Sequence, residues 1–225
     1  MKKGIKILIV VALLLVLGGV GFYGYTQFKN KDSGGSNPKK PKVVKEIKDY
    51  DYKLVNESNK RYKKLFNILL KELSKTNKEE IDEELYAKTV AEMFAIDFYD
   101  LSSKKSKNDI GGVQFIHTRA QNNFILEASD TMYKYIEHNL DGKRTQKLPH
   151  VDSVTVGEVT KTAFTYNKVK DANAYSVKLT INYTEDLGYP KNITVILYHE
   201  DKIIKEKTEE QEEEKITKLS IVSVK

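Results

Sequence analysis

Between Lys6 and Lys29 the chain carries no charged residue, and Ile7 to Leu17 contains only Ile, Leu, Val and one Ala. A helix rises about 1.5 Å per residue, so the stretch from Ile7 to Phe28 is long enough to cross a hydrocarbon layer about 30 Å thick. Gly18, Gly19, Gly21 and Gly24 lower its helix propensity. A bilayer tolerates them, because backbone groups there find no partner except one another. No two of these glycines stand four positions apart, so they give no helix-pairing motif. Phe22, Tyr23, Tyr25 and Phe28 supply the amphipathic rings expected at a membrane interface. A cleaved signal peptide is the competing reading, since Lys2, Lys3 and Lys6 form a basic leader. The apolar stretch is longer than a signal core and lacks an A-x-A site, so residues 1–28 are expected to be an uncleaved single-pass anchor in contact with membrane lipid. Lysines flank it on both sides. The short charged leader places the N-terminus inside and the C-terminal domain extracytoplasmic.

The anchor changes the meaning of the net charge of +6. Residues 1–48 hold ten Lys against Asp32 and Glu46, a balance of +8, which leaves −2 for the remainder. Nucleic-acid affinity needs clustered Lys and Arg that release counterions, and a near-neutral domain has no such stripe, so nucleic acid is not an expected partner. The absence of cysteine excludes disulfides, thiolate metal sites and cysteine nucleophiles. Residues 29–48 join a Ser/Gly stretch to a Lys/Pro stretch, the composition of a flexible tether. Residues 49–225 then suffice for one domain with a single core.

Within that domain, Tyr50, Tyr52 and Leu54 alternate as a short extended stretch. Asn56 or Ser58 is the expected cap of a helix whose apolar face is Tyr62, Leu65, Phe66, Leu69, Leu70 and Leu73. A second helix is predicted after Thr76 or Asn77, burying Leu85, Tyr86, Val90, Met93, Phe94 and Phe98. The spacing predicts a short strand at Val113–Ile116 and a third helix from Arg119 to Asn139, with Phe124, Ala128, Met132, Tyr135 and Ile136 as its stripe. After Pro149 the apolar period changes from 3.6 to 2. Strands are predicted at Val151–Tyr166, Tyr175–Tyr183, Ile193–His199 and Ile216–Val224. The expected class is α+β: three N-terminal helices on a curved antiparallel sheet of four to five strands, preceded by the transmembrane helix.

This order of elements resembles the nuclear transport factor 2-like superfamily, a cone-shaped α+β fold. The resemblance covers about Asp49 to Lys225 and rests on element order. With one membrane helix in front, the layout is also similar to bitopic assembly factors of type IV secretion and conjugation machinery. Those are scaffolds, and they imply a non-catalytic envelope module that binds an envelope protein or itself.

Enzymatic members of that superfamily place acid/base groups inside the cone. Asp97 and Tyr99, with Asp100 beside them, close the second helix and His117 follows the short strand, so Asp97, Tyr99 and His117 are the pocket candidates. No catalytic motif, metal-ligand spacing or cofactor fingerprint is present, and no cofactor or metal is expected. His138, His150 and His199 are scattered. Asn108–Gly112 reads as a tight turn, the tyrosines as amphipathic core, and Glu206–Glu214 as a solvated acidic hairpin loop.

Overall fold

The computed structural model describes residues 44–205 and 213–225. The expected anchor, most of the tether and most of the acidic run lie outside the described residues. Among the described residues no helix is long and apolar enough to cross a membrane. Pairing begins earlier than the composition of the tether suggests. Strand β1 (Glu46–Ile47) runs antiparallel to β2 (Tyr52–Lys53) around a 3-10 turn at Lys48–Tyr50, and Ile47, Tyr50, Tyr52 and Leu54 are all buried. Those four apolar side chains draw the end of the Lys-rich stretch into the fold.

Helix α1 spans Lys60–Leu73 and buries the predicted Tyr62, Leu65, Phe66, Leu69 and Leu73. Its cap is Asn59, whose side chain accepts from the Tyr62 N–H at 2.9 Å. Asn56 acts one step earlier, accepting from the Ser58 hydroxyl and the Asn59 N–H. Helix α2 is Glu83–Tyr99, capped by Asp82. Asn77 caps only a 3-10 turn, Lys78–Glu80. Of the seventeen residues of α2, thirteen are buried, on every side of the helix. A helix buried all round belongs in the interior. Here α2 lies between α1 and the sheet, contacting all four of its strands. Arg61 of α1 closes the helix pair with a bidentate bridge to the buried Glu92 at 2.5 and 2.7 Å.

Two predicted elements differ. Val113–Phe115 is a 3-10 turn rather than a strand, and only Ile116 pairs, in parallel with Ile221. The third helix is α3, Gln121–Asp130, instead of Arg119–Asn139. At Thr131 (φ −119°, ψ −99°) the chain leaves helical geometry, and the Thr131 hydroxyl donates to the Glu127 carbonyl. The break carries Tyr133 into the core, where its hydroxyl donates to the Phe98 carbonyl at 2.6 Å. Tyr135, on the predicted stripe, is 76% exposed. Burying one large ring with a satisfied hydroxyl outweighs the helical period there.

The sheet is a four-stranded antiparallel meander, β3 (Val151–Tyr166), β4 (Val169–Tyr183), β5 (Asn192–Lys205) and β6 (Glu214–Val224), in that spatial order. The predicted stripe on β4 is seated as expected, with Tyr175, Val177, Leu179 and Ile181 buried. On the outer side of β6, backbone groups take partners from outside the sheet. Tyr52 Oη donates to the Leu219 carbonyl at 2.9 Å, the Leu219 N–H donates to Tyr86 Oη at 3.2 Å, and the His117 N–H donates to the Ile221 carbonyl at 2.9 Å. The two hydroxyls also bond each other at 2.9 Å. Tyr86→Phe leaves a buried N–H without its acceptor and is expected to cost about 1–3 kcal/mol, read as a lower urea midpoint; an unchanged midpoint would contradict this role of Tyr86.

Candidate functional site

Asp97 sits in the last turn of α2 with 8% exposure. Its Oδ1 accepts from Lys104 Nζ at 2.6 Å and its Oδ2 from the Gly112 N–H at 2.7 Å. Lys104 is equally enclosed, so this is a buried, hydrogen-bonded ion pair. The tight turn lies slightly earlier than Asn108–Gly112, closed by the Asp109 N–H donating to the Ser106 carbonyl at 3.0 Å, and Gly111 and Gly112 then pass against the pair. A Cβ on Gly111 would lie 2.1 Å from the Asp97 carbonyl oxygen and 2.5 Å from Lys104 Nζ. Gly112, at φ 74°, would place one 2.7 Å from the Phe94 ring. Both glycines are therefore required by close approach. The Asp109 carboxylate accepts from the Lys105 N–H at 2.8 Å, which places it within the turn.

Two clefts reach this carboxylate. One, of about 900 Å³, is lined by Ser58, Lys104 and Asp109 among others. The second, of about 440 Å³, is lined by Asp51, Lys53, Gln114, Thr118 and Lys218. Asp97, Val55 and Ile110 line both.

Tyr99 and His117 belong to other neighbourhoods. Tyr99 packs edge-on against Phe94 and Phe98 with ring centroids 6.4 and 4.9 Å away, and burial pushes its phenol up to about 12. His117 follows the Ile116 bridge, with its ring centroid 4.7 Å from that of Tyr166 and 6.0 Å from that of Tyr198. Its Nδ1 accepts from the Arg119 N–H at 3.2 Å, and burial holds its pKa below the usual histidine value against the pull of Glu200. No polar contact joins any two of Asp97, Tyr99 and His117 among the described residues. The three candidates have separate partners and do not converge on a shared reacting atom.

Two further polar clusters escape the sequence pattern because their members lie far apart in the chain. Asp100, Ser102 and His150 form a Ser–His–Asp group, yet Ser102 Oγ and both Asp100 oxygens meet the same ring nitrogen, His150 Nδ1, at 3.0–3.2 Å. A serine relay needs Ser and Asp on opposite nitrogens, so this group ties strand to helix end and does not activate the hydroxyl. His199 Nδ1 meets Asp171 at 2.8 Å, Nε2 faces Glu83 at 3.4 Å, and Tyr175 donates to Glu83 at 3.0 Å. This second cluster locks the start of α2 onto β4 and β5. No group of three or more His, Asp or Glu suited to a metal ion occurs among the described residues.

Lys218 is the buried charge that sequence reading misses. It lies on β6 between Thr217 and Leu219, on the same side of the strand as the buried Ile216 and Ser220, and is only 5% exposed. Its ammonium donates to the Gln114 carbonyl at 3.0 Å and stands 4.6 Å from the Tyr52 ring centroid. Burial pushes its pKa down to about 8, against the attraction of Glu200 and Asp51.

No protein-family model, curated protein or solved structure matches the chain.

Removing one partner of the Asp97–Lys104 pair strands a buried charge. Lys104→Met is expected to lower unfolding free energy by about 3–5 kcal/mol. Adding Asp97→Asn removes the stranded charge, keeps an acceptor for the Gly112 N–H, and should restore part of the loss in urea titrations. A double variant less stable than the single would refute that account. Lys218 acts with opposite sign in alkali. Its folded pKa lies below its unfolded value, so between pH about 8 and about 10 the unfolded chain binds more protons, and stability rises with pH. Melting temperature across that window should climb for the native chain and lose this rise in Lys218→Met.

Proposed function

We propose that the chain is a membrane-tethered, non-catalytic interaction module of a cell envelope, with the folded domain outside the cytoplasm and a second envelope protein or another copy as its partner. The observation that carries this reading is the unpartnered apolar side of α3. Leu126 is 62% and Ile125 37% exposed. On another side of the same helix, a groove of about 340 Å³ runs between α3 and the end of β6, lined by Phe98, Phe124, Met132, Ile116, Val222 and Val224. Exposed large apolar side chains and an apolar-lined groove on one short helix are the features expected of an interaction site. The candidate acid/base groups support the same reading, because Asp97, Asp100, His117 and His199 are each engaged by internal partners. That arrangement gives less support to the alternative of an isomerase-like enzyme or small-molecule binder working in the interior of a cone. The finer fold reading, a nuclear transport factor 2-like cone behind a transmembrane helix, rests on the order of helices before a meander. Membership of a conjugation complex rests on the layout alone, and gene neighbourhood tests it.

The absence of cysteine makes one experiment decisive for both partner and topology. Leu126→Cys, expressed in the full chain, is treated in intact cells with a membrane-impermeant bifunctional thiol reagent. A discrete cross-linked band that disappears in Leu126→Cys/Ile125→Glu is the expected result. Labelling without any cross-link, in a chain that runs as a monomer, overturns the interaction reading. Labelling only after lysis overturns the orientation.

A further inference from the structure

Four charged side chains line the cleft of about 440 Å³: Asp51, Lys53, Asp97 and Lys218. Three are neutralised in place. Asp51 pairs with Lys202 at 2.6 Å, Lys53 with Glu46 at 3.7 Å, and Asp97 with Lys104 at 2.6 Å. Among the described residues, Lys218 has no carboxylate within 4.0 Å. Its ammonium is the most enclosed of the four and is held by one carbonyl and one aromatic face. A buried cation with neutral partners only is expensive unless something anionic completes its shell.

The surroundings define what that anion can be. Glu200 on β5 and Asp51 beside β2 attract the ammonium from a distance, and Lys202 on β5 repels it. With Asp51, Lys53 and Asp97 already paired, Lys218 is, among the described residues, the uncompensated cation on the cleft wall and matches one negative charge rather than the two of a phosphate dianion. Val55, Ile110 and Val113 line the same space and offer an apolar lane. Thr118, at the wall, carries a hydroxyl donor. The volume falls in the range of small-molecule sites, about 300–1,000 Å³.

We propose that this cleft is a binding site for a small organic monocarboxylate, whose carboxylate pairs with the Lys218 ammonium while a short alkyl tail lies along Val55, Ile110 and Val113. The site is separate from the α3 groove and stands or falls independently of the interaction reading. Binding requires the protonated amine. Since burial places its pKa near 8, the site empties as the pH is raised through that value.

The probe is isovalerate, titrated calorimetrically into the purified full chain in detergent. Saturable one-to-one binding is expected near pH 6.5, with apparent affinity roughly thirtyfold weaker near pH 9.5, the ratio set by the protonated fraction of an amine of that pKa. Isovaleramide, of the same shape but neutral, should not compete, and Lys218→Met should abolish binding. Should Lys218→Met fail to fold, the pH ratio and the amide comparison on the native chain decide alone. Absence of saturable binding at millimolar isovalerate overturns the proposal. So does affinity independent of pH, equal binding of the amide, retained binding by a folded Lys218→Met, or tighter binding of inorganic phosphate.

Discussion

Among the described residues the last strand of the sheet meets only the single Ile116 bridge on its outer side, and the way its backbone groups are satisfied there fixes the position of much else. A buried backbone donor or acceptor left unpaired costs about 1–3 kcal/mol. On β6 these groups are met by two tyrosine hydroxyls and one backbone N–H, coming from three separate parts of the chain: Tyr52 beside the N-terminal ribbon, Tyr86 in the first turn of α2, and His117 after the 3-10 turn. Tyr52 and Leu219 are 167 positions apart. The first and last elements of the domain are thus held by the same bonds.

A second fixed point is the end of α2, where Asp97 is buried. A carboxylate in that position needs a counter-charge and hydrogen bonds, and the following loop returns to provide both, through Lys104 and the Gly112 N–H. The return is tight enough to exclude a side chain at Gly111. Tyr133 then completes the closure by accepting from the Gly111 N–H at 3.2 Å while donating to the Phe98 carbonyl. The buried charge therefore accounts for the return of the loop and for Gly111, while Gly112 answers to the Phe94 ring and the end of α3 to Tyr133. The two polar clefts are the spaces left on either side of the loop.

The parts of this fold that were legible in the sequence are those governed by local periodicity. The face of α1 and the inward stripe of β4 follow from residue spacing alone, because each buries one side against a neighbour. Spacing was misleading where a single long-range demand overrode it. Tyr133 leaves the helical stripe to reach two backbone partners, and Val113–Ile116 turns instead of extending because Gly112 adopts a left-handed conformation ahead of it. The same distinction applies to the site. Asp97 was visible as a polar group closing an apolar helix, but its partner Lys104 sat in a stretch that reads as solvated loop. Lys218 was invisible, since a lysine in a strand reads as exposed and nothing local shows that Gln114 and Tyr52 cover it.

The treatment of the sheet edges bears on how such a domain meets other molecules. Strand β3, the opposite edge, breaks register three times along its pairing with β4. Bulges of that kind twist an edge away from a new strand and guard against accidental pairing. With β6 covered and β3 bulged, neither edge offers a long regular ladder for strand addition. Under the proposed interaction reading, contact falls to faces, and α3 is the helix that presents two large apolar side chains, Ile125 and Leu126, to solvent. The charge distribution points the same way, because the excess of Lys lies before residue 49, leaving the domain near neutral. Long-range attraction to an anionic surface then comes mainly from residues 1–48, whereas binding by the folded domain itself would depend on apolar burial and shape.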